Sequence, residues 1–358
     1  MIGGKLINRS NWQLTKKYLR YREEVHQLSA SSVVLEKRWL RSVLEWAGET
    51  PFQDVPDIRP ALPQYLLTAR KDGSGQELSL AYMQKIIRTA RRFFDWLSKH
   101  ERGYRALTAA WLDTLRPPRV EGQAQKFVAV TLEEILEIAK APANDIEERR
   151  IKAAVCFWFL SGIRIGAFVT LPIEAIDLYE LSVKQWPGLG VRTKFKKHAT
   201  TYLLDIPELL QVVRDWDSEV RKALGDEGLW FAPFSVETGE IEKEYQSVGE
   251  HRHSRARKSL KAWLRRVGLP YHKPHSFRHG HAVYSIQLAG NVSDLKAISM
   301  NLMHDSLTVT EKVYGIFSSL DVKQKITALT RNRLGNEQDS SDLAEVLEEA
   351  LRLVRKTS

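Results

Sequence analysis

Two arginines, two histidines and a tyrosine in this chain stand in an order that suits chemistry on a phosphodiester. Arg164 lies in Ser161-Gly162-Ile163-Arg164-Ile165-Gly166, and His275 and Arg278 lie in His275-Ser276-Phe277-Arg278-His279. His304 follows in Met303-His304-Asp305, and Tyr314 stands ten residues beyond it. A phosphodiester resists attack because it is anionic and its leaving group is poor. Its cleavage needs positive charge around the phosphate, a nucleophile and a proton donor. Arginine suits the first role, because its planar fork bonds two phosphate oxygens at once and keeps its charge. His275 and Arg278 are three residues apart and so share a helical face. A phenol, with an ordinary pKa of about 10, needs a base and a cationic site to become a nucleophile. A metal site made of His275, His279 and His281 also fits helical spacing. No acidic or cysteine ligand lies near it in sequence, so no metal is expected.

Composition bounds the partners. The 358 residues are 43% hydrophobic and 27% charged, a globular balance in a chain long enough for two ordinary domains. No apolar run reaches the ~18 residues of a membrane span, and the N-terminal residues lack an apolar signal region. No membrane partner is expected. The single Cys156 excludes an internal disulfide. Its apolar neighbours make it a core residue, and a reducing cytoplasm fits. The net charge of +10 is unevenly spread: residues 1–120 carry 21 Lys/Arg against 12 Asp/Glu, and residues 251–280 carry 9 with no acid. Everything else is net acidic. Two basic regions of this kind are the footprint of a polyanion-binding surface.

The elements that must position these residues read as mainly helical. Val34, Leu35, Val43, Leu44 and Ala47 recur at helical spacing before a stop at Gly48. A stronger helix spans about 79–100, with Leu80, Met83, Ile86, Ile87, Ala90, Phe93, Phe94 and Leu97 as its apolar stripe. Lys85, Arg88, Arg92 and Lys99 occupy another face, where they can meet a DNA backbone. Pro117 and Pro118 then interrupt any helix, and a polar stretch follows. Residues 1–116 are therefore one domain and 117–126 a linker. Thr131 with Glu134 predicts a capping box that opens the next helix. Leu181–Trp186, Val191–Phe195 and Thr200–Ile206 read as strands around a Pro187-Gly188-Leu189-Gly190 turn. Helices are predicted near 208–223 and over 251–267. The second carries Arg252, Arg255, Arg257, Lys258, Lys261, Arg265 and Arg266, and its basic side, Arg255 and Lys258 above all, is expected at a DNA groove. A last amphipathic helix spans about 341–355.

The stretch from about Phe127 to Phe317 resembles the catalytic domain of the tyrosine recombinases, the phage integrase family. Three blocks carry the resemblance: residues 161–166, residues 275–282 (HSFRHGHA) and residues 301–317 (NLMHDSLTVTEKVYGIF). Leu288-Ala289-Gly290 stands where the family has a helix-ending Ala-Gly. The resemblance implies a mainly α fold with a small antiparallel β-sheet. A helical N-terminal core-binding domain would precede an α+β catalytic domain over 127–335, followed by a C-terminal tail over 336–358 whose helix would either dock on a neighbouring subunit or pack on its own domain. It implies that Tyr314 is the nucleophile, that Arg164 and Arg278 clamp the phosphate, and that His275 shares the nucleophile's proton. His304 would donate to a non-bridging oxygen. The lysine that protonates the leaving oxygen maps to Lys194, with Lys196 and Lys197 as alternatives. Partners would be a double-stranded recombination site and three further copies, as a homotetramer on two duplexes, with neither metal nor ATP.

Two positions depart from the family pattern. Ala167 stands where an acid three residues after the first arginine is usual, and Met303 replaces a glycine before the second histidine. A type IB topoisomerase, a telomere resolvase and a DNA-binding protein with a decayed site are the alternatives. Covalent attachment to DNA separates the last from the others, and a recombinant junction separates a recombinase from a topoisomerase.

Overall fold

The computed structural model describes residues 6–68, 75–117, 128–235, 237–242, 249 and 251–304. Tyr314, the 341–355 segment and nearly all of the 117–126 linker lie outside the described residues. Contacts divide the chain into two units, Met1–Lys126 and Phe127–Ser358.

The N-terminal unit is helical: α1 (Arg9–Glu24), α2 (Ala30–Ala47), a 3-10 turn (Phe52–Asp57), α3 (Leu62–Thr68), α4 (Leu80–His100) and α5 (Ala109–Thr114). Side-chain caps open most of them: Asn8, Ser29, Ser79 and Thr108 each accept a backbone N–H of the first turn. The stripe predicted for α4 is buried from Met83 to Leu97 around Phe93 and Phe94. In α2 the burial differs from the prediction. Val34 and Leu35 are exposed, and the inward face runs through Glu36, Leu40, Val43, Leu44 and Ala47. That face meets α1 and α4. Glu36 is buried because it accepts from Arg22, at 3.1 Å, and from Arg92, at 3.1 Å. A buried carboxylate needs such partners to offset its lost hydration.

The C-terminal unit begins with α6 (Leu132–Lys140), opened by the capping box of Thr131 and Glu134. The central α7 (Ile146–Ser161) follows, buried on nearly every side. It is packed by α6, by α9 (Pro207–Leu224), by α10 (Arg252–Arg266) and by α11 (Pro274–Leu288). Cys156, Trp158 and Phe159 are wholly enclosed there, and burial pushes the Cys156 thiol up to about 12. A short α8 (Ile165–Phe168) and a sheet of three antiparallel strands lie between α7 and α9. The strands are β1 (Ile176–Asp177), β2 (Ser182–Gln185) and β3 (Ala199–Tyr202), in that order. The last described helix is α12 (Val292–Asn301). Among the described residues no helix is long and apolar enough to cross a membrane.

One predicted strand is not formed. β2 pairs directly with β3, Ser182 opposite Tyr202 and Gln185 opposite Ala199. Val191–Phe195 therefore belongs to an excursion between them. Its donors go elsewhere: the Arg192 backbone N donates to Thr170 Oγ1, at 2.8 Å, and the Thr193 side-chain Oγ1 donates to Lys197 O, at 2.6 Å. A second correction concerns α10. Arg252 is not on its basic face but buried, donating to the carbonyls of Val169 and Phe231, and Arg266 is paired with Glu148.

Candidate active site

The three motif blocks meet at one guanidinium. Arg278, on the inner face of α11, is 3% exposed. It donates to the carbonyl of Gly162 and, at 2.6 Å, to that of Leu302. Its Nη2 also lies 3.1 Å from His304 Nε2. A guanidinium only donates, so His304 Nε2 accepts and the ring proton sits on Nδ1. One side chain thus fastens the end of α7, two residues before Arg164, to the end of α12, two residues before His304.

Glycine makes that approach possible. Gly162 ends α7 in the left-handed region at φ 60°, and a Cβ there would lie 2.7 Å from the His281 ring and 2.8 Å from Leu302. The chain then turns outward, so Arg164 caps α8 and faces a cleft of about 660 Å³. Lys194 and His275 line the same cleft, with Met303. Arg192, Arg257 and Lys273 also line it, and sequence reasoning assigned none of these to the site. Arg257 was legible only as one of seven basic residues on α10. Arg192 and Lys273 carried no signal beyond their charge.

Electrostatics follow from this crowding. The His275 pKa is lowered by burial first, then by the charges of Arg278 and Arg164. A base held neutral beside cations can accept a proton at neutral pH. His279, its ring centroid 4.3 Å from that of His275, is held at about 4 by burial, His275 and Arg278. His281 faces inward and its Nδ1–H donates to Phe159 O, at 2.8 Å. Among the described residues no group of three or more His, Cys, Asp or Glu is disposed to hold a metal ion.

A pH dependence follows. Burial holds the His281 pKa at about 4, against an ordinary 6.5, although its bond to Phe159 O works the other way. The unfolded chain takes up this proton near pH 6.5 and the folded chain only near 4. The stability contributed by the neutral ring is therefore present above pH 6.5 and is lost as pH falls toward 4, at up to ~1.4 kcal/mol per pH unit. Urea midpoints of the full chain between pH 7 and 5 should show the decline, and His281→Asn should make it shallower while the share of His279 remains. An equally steep profile in the variant would assign the decline to other groups.

The departures from the family pattern have structural counterparts. Ala167 is buried at 3% exposure, and its carbonyl accepts from Thr170 Oγ1, at 2.9 Å. Because Thr170 Oγ1 in turn accepts from Arg192 N, this hydroxyl ties α8 to the loop that carries Lys194. Met303 sits at φ 51°, where glycine is favoured, but its side chain is buried against the cleft.

The residues predicted to bind DNA fall in both units. Lys85, Arg88 and Arg92 share the exposed face of α4, and Arg255 and Lys258 that of α10. Arg92 is also engaged with Glu36, and Lys99, their neighbour, pairs with Asp95, at 2.8 Å.

A helical unit carrying a small antiparallel sheet, with arginines from distant blocks converging beside it, has the α+β architecture of a recombinase catalytic domain. The phage integrase family profile matches residues 129–316, more than half of the chain, and the chain belongs to this family of tyrosine-type site-specific recombinases. It is 24% identical over 312 residues to tyrosine recombinase XerC of Escherichia coli O157:H7, covering 86% of this chain and 91% of the relative. XerC of Shigella flexneri is 24% identical over 316 residues, with the same coverage of 86% and 91%. The fold is similar to that of the Tn1549 transposon integrase in complex with circular intermediate DNA, with a TM-score of 0.58 and 15% identity over 89% of this chain and 99% of that one. It is also similar to that of the XerH site-specific recombinase bound to palindromic difH substrate, with a TM-score of 0.60 and 16% identity over 88% and 84%.

Proposed function

We propose that the protein exchanges DNA strands through a covalent 3′-phosphotyrosine intermediate. Tyr314 Oη attacks the scissile phosphorus and yields its proton toward His275. The bond to the 5′ oxygen breaks, and that oxygen leaves as a hydroxyl protonated by Lys194. Arg164, Arg278 and His304 stabilise the negative charge that builds on the non-bridging oxygens. A 5′-hydroxyl of the partner duplex then attacks the phosphotyrosine and releases Tyr314. The phosphodiester energy is kept in the covalent link, so the cycle balances without ATP. The Tn1549 integrase is in complex with circular intermediate DNA and XerH is bound to palindromic difH substrate, and by analogy the substrate is a duplex recombination site.

The observation that carries this reading is the convergence of Arg164, Lys194 and His275 on one cleft, above an Arg278 bonded to His304. In the rest of the proposal, residues 1–116 form a core-binding domain that contacts DNA through Lys85, Arg88 and Arg92. Arg255 and Lys258 add contacts from the catalytic domain over 127–335, and four copies assemble on two duplexes. The 336–358 tail links neighbouring subunits.

Covalent trapping tests it. Wild-type protein incubated with supercoiled plasmid carrying DNA from its source locus should leave a protease-sensitive adduct after SDS treatment, and Tyr314→Phe should leave none. An adduct of equal yield from the variant would remove Tyr314 from the mechanism. The lack of any adduct with a nicked suicide substrate would remove the mechanism itself.

A further inference from the structure

We propose that Phe195 is a wedge that enters the base stack of duplex DNA beside the phosphate held in the cleft, an inference that rests on the reading above. Phe195 is 73% exposed, although a phenylalanine in this unit has a large core available to it. It stands at the tip of the β2–β3 excursion, between Lys194 and Lys196-Lys197. Its backbone is left-handed at φ 59°, and so is that of Lys196, at φ 53°. Bulky side chains rarely adopt this conformation, and residues held there cluster where function requires them.

The loop is built to hold the ring outward. Arg192 N is tied to Thr170 Oγ1, at 2.8 Å, and Thr193 Oγ1 closes the loop onto Lys197 O, at 2.6 Å. Lys194 Nζ sits over the Phe195 ring, 4.7 Å from its centroid, while Lys194 also lines the cleft with Arg164 and His275. The exposed ring is therefore adjacent to the phosphate site and set among cations that neutralise the flanking phosphates. Proteins that kink duplexes insert apolar wedges, phenylalanine among them, between base steps, and any base offers a face for stacking. A base that takes the ring face would displace the Lys194 ammonium, leaving it to turn toward the leaving oxygen in the cleft.

A linking-number assay tests this without knowledge of the target site. Relaxed, covalently closed plasmid is incubated with full-length Tyr314→Phe protein, which keeps the strands uncut, and a topoisomerase then relaxes the supercoils that binding introduces before the protein is removed and the topoisomers are resolved. Each protein bound should lower the linking number. Phe195→Gly in the same background suits the left-handed backbone, so the loop is expected to keep its shape. It should bind the plasmid within about threefold of the parent, with the shift per bound protein reduced at least threefold. Phe195→Leu, still an apolar wedge, should retain at least half of the shift. An undiminished shift with Phe195→Gly overturns the proposal, and so does the absence of a shift from a parent protein that binds. If Phe195 served only to hold Lys194, Phe195→Gly would slow adduct formation in a Tyr314 background and leave the linking-number shift as large as the parent's, which also overturns it. Failure of the parent to bind plasmid at any salt concentration would instead overturn the functional reading on which the proposal rests.

Discussion

Arg278→Lys is expected to slow formation of the covalent adduct by ~10³-fold and to destabilise the C-terminal unit by ~2 kcal/mol. Lysine keeps the charge, so loss of charge does not enter. The geometry does. The guanidinium reaches the carbonyls of Gly162 and Leu302 and the imidazole of His304 from one buried position. An ammonium on a flexible stem is a point donor without the planar fork. At least one of the two carbonyls would lose its partner inside the protein, at ~1–3 kcal/mol. The ends of α7 and α12 would no longer be fastened together, and Arg164 and His304 would drift relative to each other. Misplacement by ~1 Å is enough to cost ~10²-fold in rate. Single-turnover adduct formation on a nicked substrate measures the first effect and urea unfolding of the full chain the second. A variant that retains a tenth of the wild-type rate would show that Arg278 is replaceable as a cation and that its three partners do not set the site.

Gly280→Ala is expected to destabilise the C-terminal unit by ~3 kcal/mol and to impair adduct formation with it. A Cβ at Gly280 would lie 2.2 Å from the backbone oxygen of Val130 and 2.8 Å from the Phe159 ring. Neither can yield easily. Val130 is held against α11 by its own N–H, which donates to Ser276 O at 3.1 Å, and Phe159 is wholly buried. The gain of ~1 kcal/mol in helix propensity from glycine to alanine opposes the clash without cancelling it. Because α11 carries His275 and Arg278, any shift that relieves the contact also moves the site. Gly290→Ala is the control, since its Cβ would meet only the Asp294 carboxylate, at an ordinary 3.6 Å. Equal urea midpoints for the two variants would mean that α11 tolerates displacement from α7.

Much of this site was legible in the sequence because its chemistry is carried by residue types at short spacings. His275-x-x-Arg278 declares one helical face, and Thr131 with Glu134 announces the start of α6, since capping boxes are local. The apolar stripe of α4 is likewise set by a period of a few residues. These features depend on neighbours within one or two turns, and the linear order contains them.

What lay between segments was decided by tertiary structure. Arg278 and Gly162 are 116 positions apart, and nothing local to either says that one guanidinium will fasten two helix ends. Val191–Phe195 has strand-forming residues but no strand, because β3 takes the pairing edge of β2 and Thr170 takes the Arg192 N–H. Arg252 and Arg255 sit three residues apart on one helix, yet the first is buried on the carbonyls of Val169 and Phe231 and the second faces outward. Charge in the sequence marks a cation. Whether that cation meets a carbonyl inside the protein or a phosphate outside it depends on which side of the helix the rest of the chain comes to cover.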